Sequence, residues 1–374
     1  MMLGLLLARA GIETLVLEKH ADFLRDFRGD TLHPSTLEVI AELGLLERLL
    51  ELPHDRVPEI AAQFGDYPLK IADFRRLPTR CGYIAMMPQW DFLSFLAREA
   101  ARYPQFKLRM NAEVTGLIGE EGIEGVKLGE EEIKASLTIG ADGRNSTVRA
   151  LAGLEVENLG APIDVLWFRL SRSASDPQAS MGRFDAGAAL VLINRRDYWQ
   201  CGYVIAKGAA DAVRRAGLPA FRARLSQLLP WTAGRVAEIA DWEQVKLLTV
   251  QIDRLRQWWR PGLLCIGDAA HAMSPVGGVG INLAIQDAVA AANILAGRDF
   301  SAGRLKAIQD RRQWPVRVTQ RLQILAQDRI ITRVLQSTGR LEPPIFFRLL
   351  NRFGWLRRLP GRLIGMGIRP EHVA

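Results

Sequence analysis

The sequence predicts an α/β protein in which a nucleotide-binding sheet is interrupted by a second, mainly antiparallel sheet. Three observations carry this expectation. An apolar helical stretch, Met1 to Ala10, stops at Gly11 and feeds a short β-rich run, Thr14-Leu15-Val16-Leu17, that ends in Glu18. Two apolar strands, around Leu137-Thr138-Ile139 and Leu263-Leu264-Cys265-Ile266, end in Asp- and Gly-bearing turns that lead into helical patterns. Between those turns, from Leu154 to Val250, the pattern shifts to the apolar alternation of an antiparallel sheet.

A helix feeding a parallel strand that ends in an acidic residue is the second half of a dinucleotide-binding βαβ unit. There Glu18 would accept hydrogen bonds from ribose hydroxyls; a solvated strand end reads the same way. The glycine fingerprint and first strand that should precede this helix are not in the sequence. It reads as beginning inside the helix, short by about one strand and one turn.

Downstream, Pro34 excludes a helix before it, and Ser35 is placed to cap the helix running to Leu43-Gly44. Pro53 to Arg80 suits an excursion of strands, and Met87-Pro88-Gln89-Trp90-Asp91 opens a helix toward Tyr103. Phe106 to Met110 reads as a strand, and Glu113–Ile118 with Gly125–Leu128 as a hairpin. Gly140-Ala141-Asp142-Gly143-Arg144 then turns tightly into a Ser-capped helix, with Arg144 and Arg149 expected to be free to meet phosphate. A strand-to-helix turn with an Asx motif is the plainer reading of Asp142.

In the middle region, Trp167, Phe168, Tyr198, Trp199 and Tyr203 suit an aromatic ligand or a half-buried sheet equally well. The loop Gly267-Asp268-Ala269-Ala270-His271 through Pro275-Val276-Gly277-Gly278-Val279-Gly280-Ile281-Asn282 joins a buried strand to an Ala-rich helix. Free backbone N–H groups and a positive dipole end there favour an anion or an electron-rich ring, with Asp268 able to bind a polyol. His271 follows Asp268 so closely that it reads as a support of the loop.

Composition narrows the partners. A chain of 374 residues suggests two domains or one large domain with an insertion. A formal charge of +8, from 49 basic and 41 acidic residues, fits phosphate-bearing cofactors or an anionic membrane surface. No dense basic patch with stacking aromatics points to nucleic acid. Cys81, Cys201 and Cys265 form neither a disulfide framework nor a zinc spacing. They read as reduced thiols of a cytoplasmic protein with no metal site. No segment reads as long enough to span a membrane. The basic, apolar stretch Ile345 to Trp355 would dock on the chain's own core or lie peripherally on a membrane; a second copy of the chain is a further candidate partner.

With Glu18, the Asp142 turn and the Asp268 loop in place, the chain resembles the flavoprotein monooxygenases of the para-hydroxybenzoate hydroxylase family over nearly its whole length. That resemblance implies a glutathione-reductase-type, Rossmann-like FAD-binding domain (1–52, 82–155 and 257–340), an interleaved substrate domain (53–81 and 156–256) and a C-terminal helical segment (341–374). It implies FAD as cofactor and NADPH or NADH as reductant. One oxygen atom of O2 would pass from a flavin hydroperoxide to an aromatic or other apolar small molecule. The cofactor-binding residues it implies are Glu18, Arg28, Gln89, Val114, Asp142, Asp268, Pro275, Gly278, Gly280, Ile281 and Asn282. It implies no catalytic side chain. The alternatives are a truncated, flavin-poor homologue acting as a binding module, and a related flavin reductase or halogenase. The Trp-x-Trp-x-Ile-Pro motif of halogenases is absent from the sequence.

Overall fold

The computed structural model describes residues 1–24, 30–232 and 234–374. Helix Met2–Arg9 packs its leucines into the main core, and it can lie close to the strand that follows because residue 4 is glycine. A Cβ there would stand 2.8 Å from Val16 Cγ2. Strand Thr14–Leu17 pairs in parallel with Phe106–Arg109. Thr138–Gly140 pairs in parallel with Leu263–Cys265, and Trp259–Arg260 closes that piece antiparallel. Among the described residues the two parallel pieces share no ladder. Helices Met2–Arg9, Gln89–Ala100 and Gly280–Leu295 contribute to the core beside them.

The second sheet has seven strands. Their order is Lys246–Leu248, Ile163–Ser171, Tyr198–Ala206, Ala188–Asn194, Met181–Asp185, Glu59–Phe64 and Tyr67–Asp73. All neighbours are antiparallel except Met181–Asp185 with Glu59–Phe64. Period-two alternation divides its side chains between two cores. Leu166, Phe168 and Leu170 meet Phe221 and Leu225 of helix Leu218–Leu228 on one face. Val165, Trp167 and Val204 pack on the other face with Ile331, Val334 and Val276.

Several local expectations change. The helix Pro34–Glu42 begins one residue before Ser35, because proline suits a first helical position, so Ser35 is inside it and His33 stands at the cap. The predicted hairpin gains a third strand, Glu131–Lys134. The stretch Val276–Leu295 has membrane-spanning length and a mean hydropathy of 1.3, but 67% of that window is buried inside the protein. It is a core helix, with most of its length packed inside the protein.

Candidate functional site

Strand Leu263–Cys265 is wholly buried and delivers the chain into the Asp268 loop. Gly267 takes φ +59° and packs against Ala284, whose Cβ would lie 2.9 Å from a Cβ at 267. Beneath the loop sits Asp287 of the following helix. It accepts from Gly267 N–H at 3.0 Å, from His271 Nε2 at 2.6 Å and from Arg312 Nε at 2.9 Å. Burial pushes the Asp287 carboxyl up. His271 and Arg312 more than offset it and hold the group below the usual carboxylate range. His271 is 1% exposed and its ring lies 4.9 Å from that of Trp258, tilted by 44°, so it supports the loop, as its position after Asp268 suggested.

The long helix beginning at Ala302 clamps the same segment with buried glutamines. Gln309 bonds Trp258 N–H and Arg256 O, Gln320 donates to Asp253 O and Ala272 O, and Gln323 bonds Ser274 and Val276. These contacts tie the helix to backbone groups on both sides of the loop. The loop is therefore rigid from below. Asp268 itself stays about one-third exposed, 3.7 Å from Arg144 Nη2.

Past Pro275, Gly277 and Gly278 take φ +82° and +63°. A Cβ on Gly278 would stand 2.7 Å from Thr31 Oγ1, which donates to Gly278 O at 2.8 Å. Helix Gly280–Leu295 begins without a side-chain cap, which leaves its first N–H groups to other partners. Ile281 lies half-buried on that first turn. Asn282 is 5% exposed, and its side chain is committed to the protein. It accepts from His33 N–H at 2.9 Å and Thr36 Oγ1 at 2.6 Å, and donates to Thr31 O and Gly278 O. Its amide holds the 31–36 segment against the loop.

The Asp142 turn is built differently. Asp142 accepts from Ser146 Oγ at 2.5 Å and from Val148 N–H at 3.0 Å; Ser146, which accepts from Arg149 N–H at 2.9 Å, is the cap of the helix Thr147–Leu151, and Asp142 braces it from behind. This is the plainer of the two expected roles. Arg149 is not free for phosphate: it pairs with buried Asp253 at 3.2 Å and donates to the carbonyls of Ala269 and Arg144. Arg144 reaches Asp268, and its Nη1 is buried without a hydrogen-bond partner among the described residues.

Glu18 follows strand Thr14–Leu17, half-buried, accepting from His20 N–H at 3.0 Å. Its charge acts on the Met1 amino group at the start of helix Met2–Arg9; burial is the larger influence there and lowers that group's pKa. Val114 packs in a small cluster with Val148, Ala152 and Leu263. Arg28 lies outside the described residues. Gln89 starts its helix and donates its backbone N–H to Asp30 at 3.1 Å.

Asp30 was not singled out in the sequence. It is 9% exposed and pairs with Arg195, which also donates to Gln200 at 3.0 Å. Burial lifts the Asp30 carboxyl, with Arg195 opposing. The pair joins the Thr31 side of the loop to the seven-stranded sheet, a pairing over 165 positions that no local pattern announces.

These features fit a flavin. A half-open carboxylate lies beside Gly280, whose added Cβ would be 3.8 Å from Asp268 Oδ1. Left-handed glycines, an uncapped helix start and the orphaned Arg144 Nη1 surround it. Residues 1–304 match the family described as FAD binding domain. The chain belongs to that family of FAD-dependent aromatic monooxygenases. It is similar to 6-methylpretetramide 4-monooxygenase of Streptomyces rimosus, 32% identical over 92% of this chain and 83% of that protein. Rifampicin monooxygenase of Streptomyces venezuelae is 28% identical over 74% of this chain and 58% of its own length. In fold it matches PqsL of Pseudomonas aeruginosa in complex with 2-aminobenzoylacetate, at TM-score 0.74 and 22% identity, over 89% of this chain and 93% of the other. The tetrameric form of 2-methyl-3-hydroxypyridine-5-carboxylic acid oxygenase matches at TM-score 0.74 and 19% identity, over 91% of each chain. The chain is an enzyme, an FAD-dependent monooxygenase, with NADPH or NADH as the reductant typical of the family.

Proposed function

We propose that this monooxygenase hydroxylates an aromatic or otherwise apolar small molecule held between the Asp268 loop and one face of the seven-stranded sheet. The observation that carries this is Val276. It leaves the glycine loop to pack against the apolar cluster that contains Trp167, Val165 and Val204, so the flavin-holding loop and one sheet face share a single apolar layer. Phe168, Trp199 and Tyr203 belong to the opposite face, where Phe168 and Tyr203 meet Phe221 edge-on at 5.6 and 5.5 Å. They are core, and of the five aromatics Trp167 and Tyr198 remain for the ligand side; Tyr198 lies under Arg169 at 4.9 Å. The name 6-methylpretetramide 4-monooxygenase supports hydroxylation at a numbered position of a small organic substrate.

When bound, the flavin supplies the activation of oxygen. The chain's own residues bind, orient and exclude water. Asp268 would accept hydrogen bonds from the ribityl chain and Glu18 from the adenosine ribose. Gln89, Val114, Pro275, Gly278, Gly280 and Ile281 would line the cofactor, and Arg28 is kept as its predicted partner. Asp142 acts by fixing the turn that presents Arg144, and Asn282 by fixing Thr31. Residues 1–52, 82–155 and 257–340 form the proposed FAD domain, 53–81 and 156–256 the substrate domain, and 341–374 the closing helical segment. Three free, buried cysteines support a reducing, cytoplasmic setting; burial pushes the Cys265 thiol up to about 12.

The test is NAD(P)H consumption by the flavin-loaded protein with a panel of phenolic and polycyclic aromatic compounds under 18O2. Substrate-stimulated consumption with one labelled oxygen in the product is expected. Consumption without oxygenated product would make the protein a reductase, and none at all a binding module.

A further inference from the structure

The two C-terminal helices have a docked face and an uncovered one. Ile345–Arg352 and Arg358–Gly365 both pack on the edge strand Tyr67–Asp73. Asn351 pairs with that strand like a backbone, donating to Pro68 O at 2.7 Å and accepting from Lys70 N–H at 3.0 Å. Leu350 is 1% exposed, and Gly361 lies so close that a Cβ would stand 2.3 Å from Asp73 O. His33 donates to Ile364 O at 2.7 Å. The helices are thus fixed in orientation and seal a sheet edge.

Their other face carries Ile345, Phe346, Leu349 and Phe353, then Trp355, Leu359 and Leu363, all exposed; Ile345 is 75% and Trp355 66% accessible. Beside each apolar stripe runs an arginine stripe at the same four-residue spacing: Arg348 and Arg352, then Arg358 and Arg362. Residues 343–370 contain six arginines and no Asp, Glu or Lys. Arg352, Arg358 and Arg362 pair with no carboxylate among the described residues.

We propose that this face is a peripheral docking surface for an anionic lipid bilayer. Trp, Phe and Leu would enter the headgroup boundary while arginines along their flanks meet lipid phosphates. Charge selects this occupant. A second copy packed symmetrically on the same face would set these four arginines against four. A neutral apolar partner would leave the unpaired guanidinium groups desolvated.

The test is co-flotation of the flavin-loaded full chain with phosphatidylcholine vesicles with or without phosphatidylglycerol. Binding is expected only with the anionic lipid and should weaken as salt is raised. Exchanging Arg352, Arg358 and Arg362 for Gln together should weaken it about a hundredfold, at roughly tenfold or less per arginine. F346S/W355S/L359S should abolish it. All these side chains are exposed, so flavin content and melting temperature should not move, which separates lost docking from lost folding. Equal flotation with both vesicle types, or none with either, overturns the proposal. A sedimentation-velocity dimer that the serine variant dissolves would assign the face to a second copy instead and also overturn it.

Discussion

Asp142 and Asp268 occupy equivalent places in two neighbouring parallel strands. Each follows a buried strand and stands beside a tight glycine turn and a helix start. Yet Asp142 spends one carboxylate oxygen on the capping Ser146 hydroxyl and the other on Val148 N–H, at 2.5 and 3.0 Å. Asp268 stays partly open with a cation 3.7 Å away, because Asp287 below it does the work of bonding the turn. The same local chemistry thus gives a scaffold residue in one place and, in the other, a partly open carboxylate that we propose binds the cofactor. What separates them is whether another carboxylate has already satisfied the backbone.

The largest expected effect follows from that division. Asp287→Ala removes the anion between His271 and Arg312 and leaves a buried guanidinium with one carboxylate partner fewer. It should cost roughly 3–5 kcal/mol in urea unfolding. If Asp268 supported the loop as Asp287 does, Asp268→Ala would cost as much; it should cost under about 0.5 kcal/mol.

The second effect is a pH dependence of the segment that Asn282 pins. His33 is wholly buried, and burial lowers its pKa to about 4 from 6.5. The folded state therefore excludes a proton that the unfolded chain takes up. Its contribution is full above pH 6.5 and is lost as pH falls through about 4, in total about 3 kcal/mol. Urea midpoints across that window should fall in the native chain and fall less in His33→Gln. Equal slopes would detach His33 from the packing between the loop and the C-terminal helices.

The third is smaller. Asp142→Ala loses an acceptor for a first-turn N–H and the brace behind the Ser146 cap, and should cost about 1–2 kcal/mol. Any loss of flavin should track that destabilisation and be recovered at low temperature.

The Asp268 loop, the strand before it and helix Gly280–Leu295 were legible because glycine, proline and an apolar run make a local signature. So was Glu18 at the end of its strand. Asp30–Arg195 and the glutamine clamp from 309 to 323 were not, because each joins segments about 50 to 165 residues apart. Arg149 was misread for the same reason: its partner Asp253 is 104 positions away. The aromatic residues of the sheet were ambiguous until pairing assigned each to a face. The C-terminal stretch posed a choice between self-docking and an external surface, and the helices do the first with one face and leave the second open.

The central claim is most directly tested by titrating FAD into the apo forms of Asp268→Ala and Asp142→Ala beside the native chain, with melting temperatures taken on the same samples. Asp268→Ala should melt like the native apoprotein and bind FAD roughly 10- to 100-fold more weakly, the worth of hydrogen bonds to a charged group. Asp142→Ala should melt lower and, while folded, bind FAD nearly as well. Native flavin affinity in Asp268→Ala, or a lower melting temperature there than in Asp142→Ala, would contradict the account.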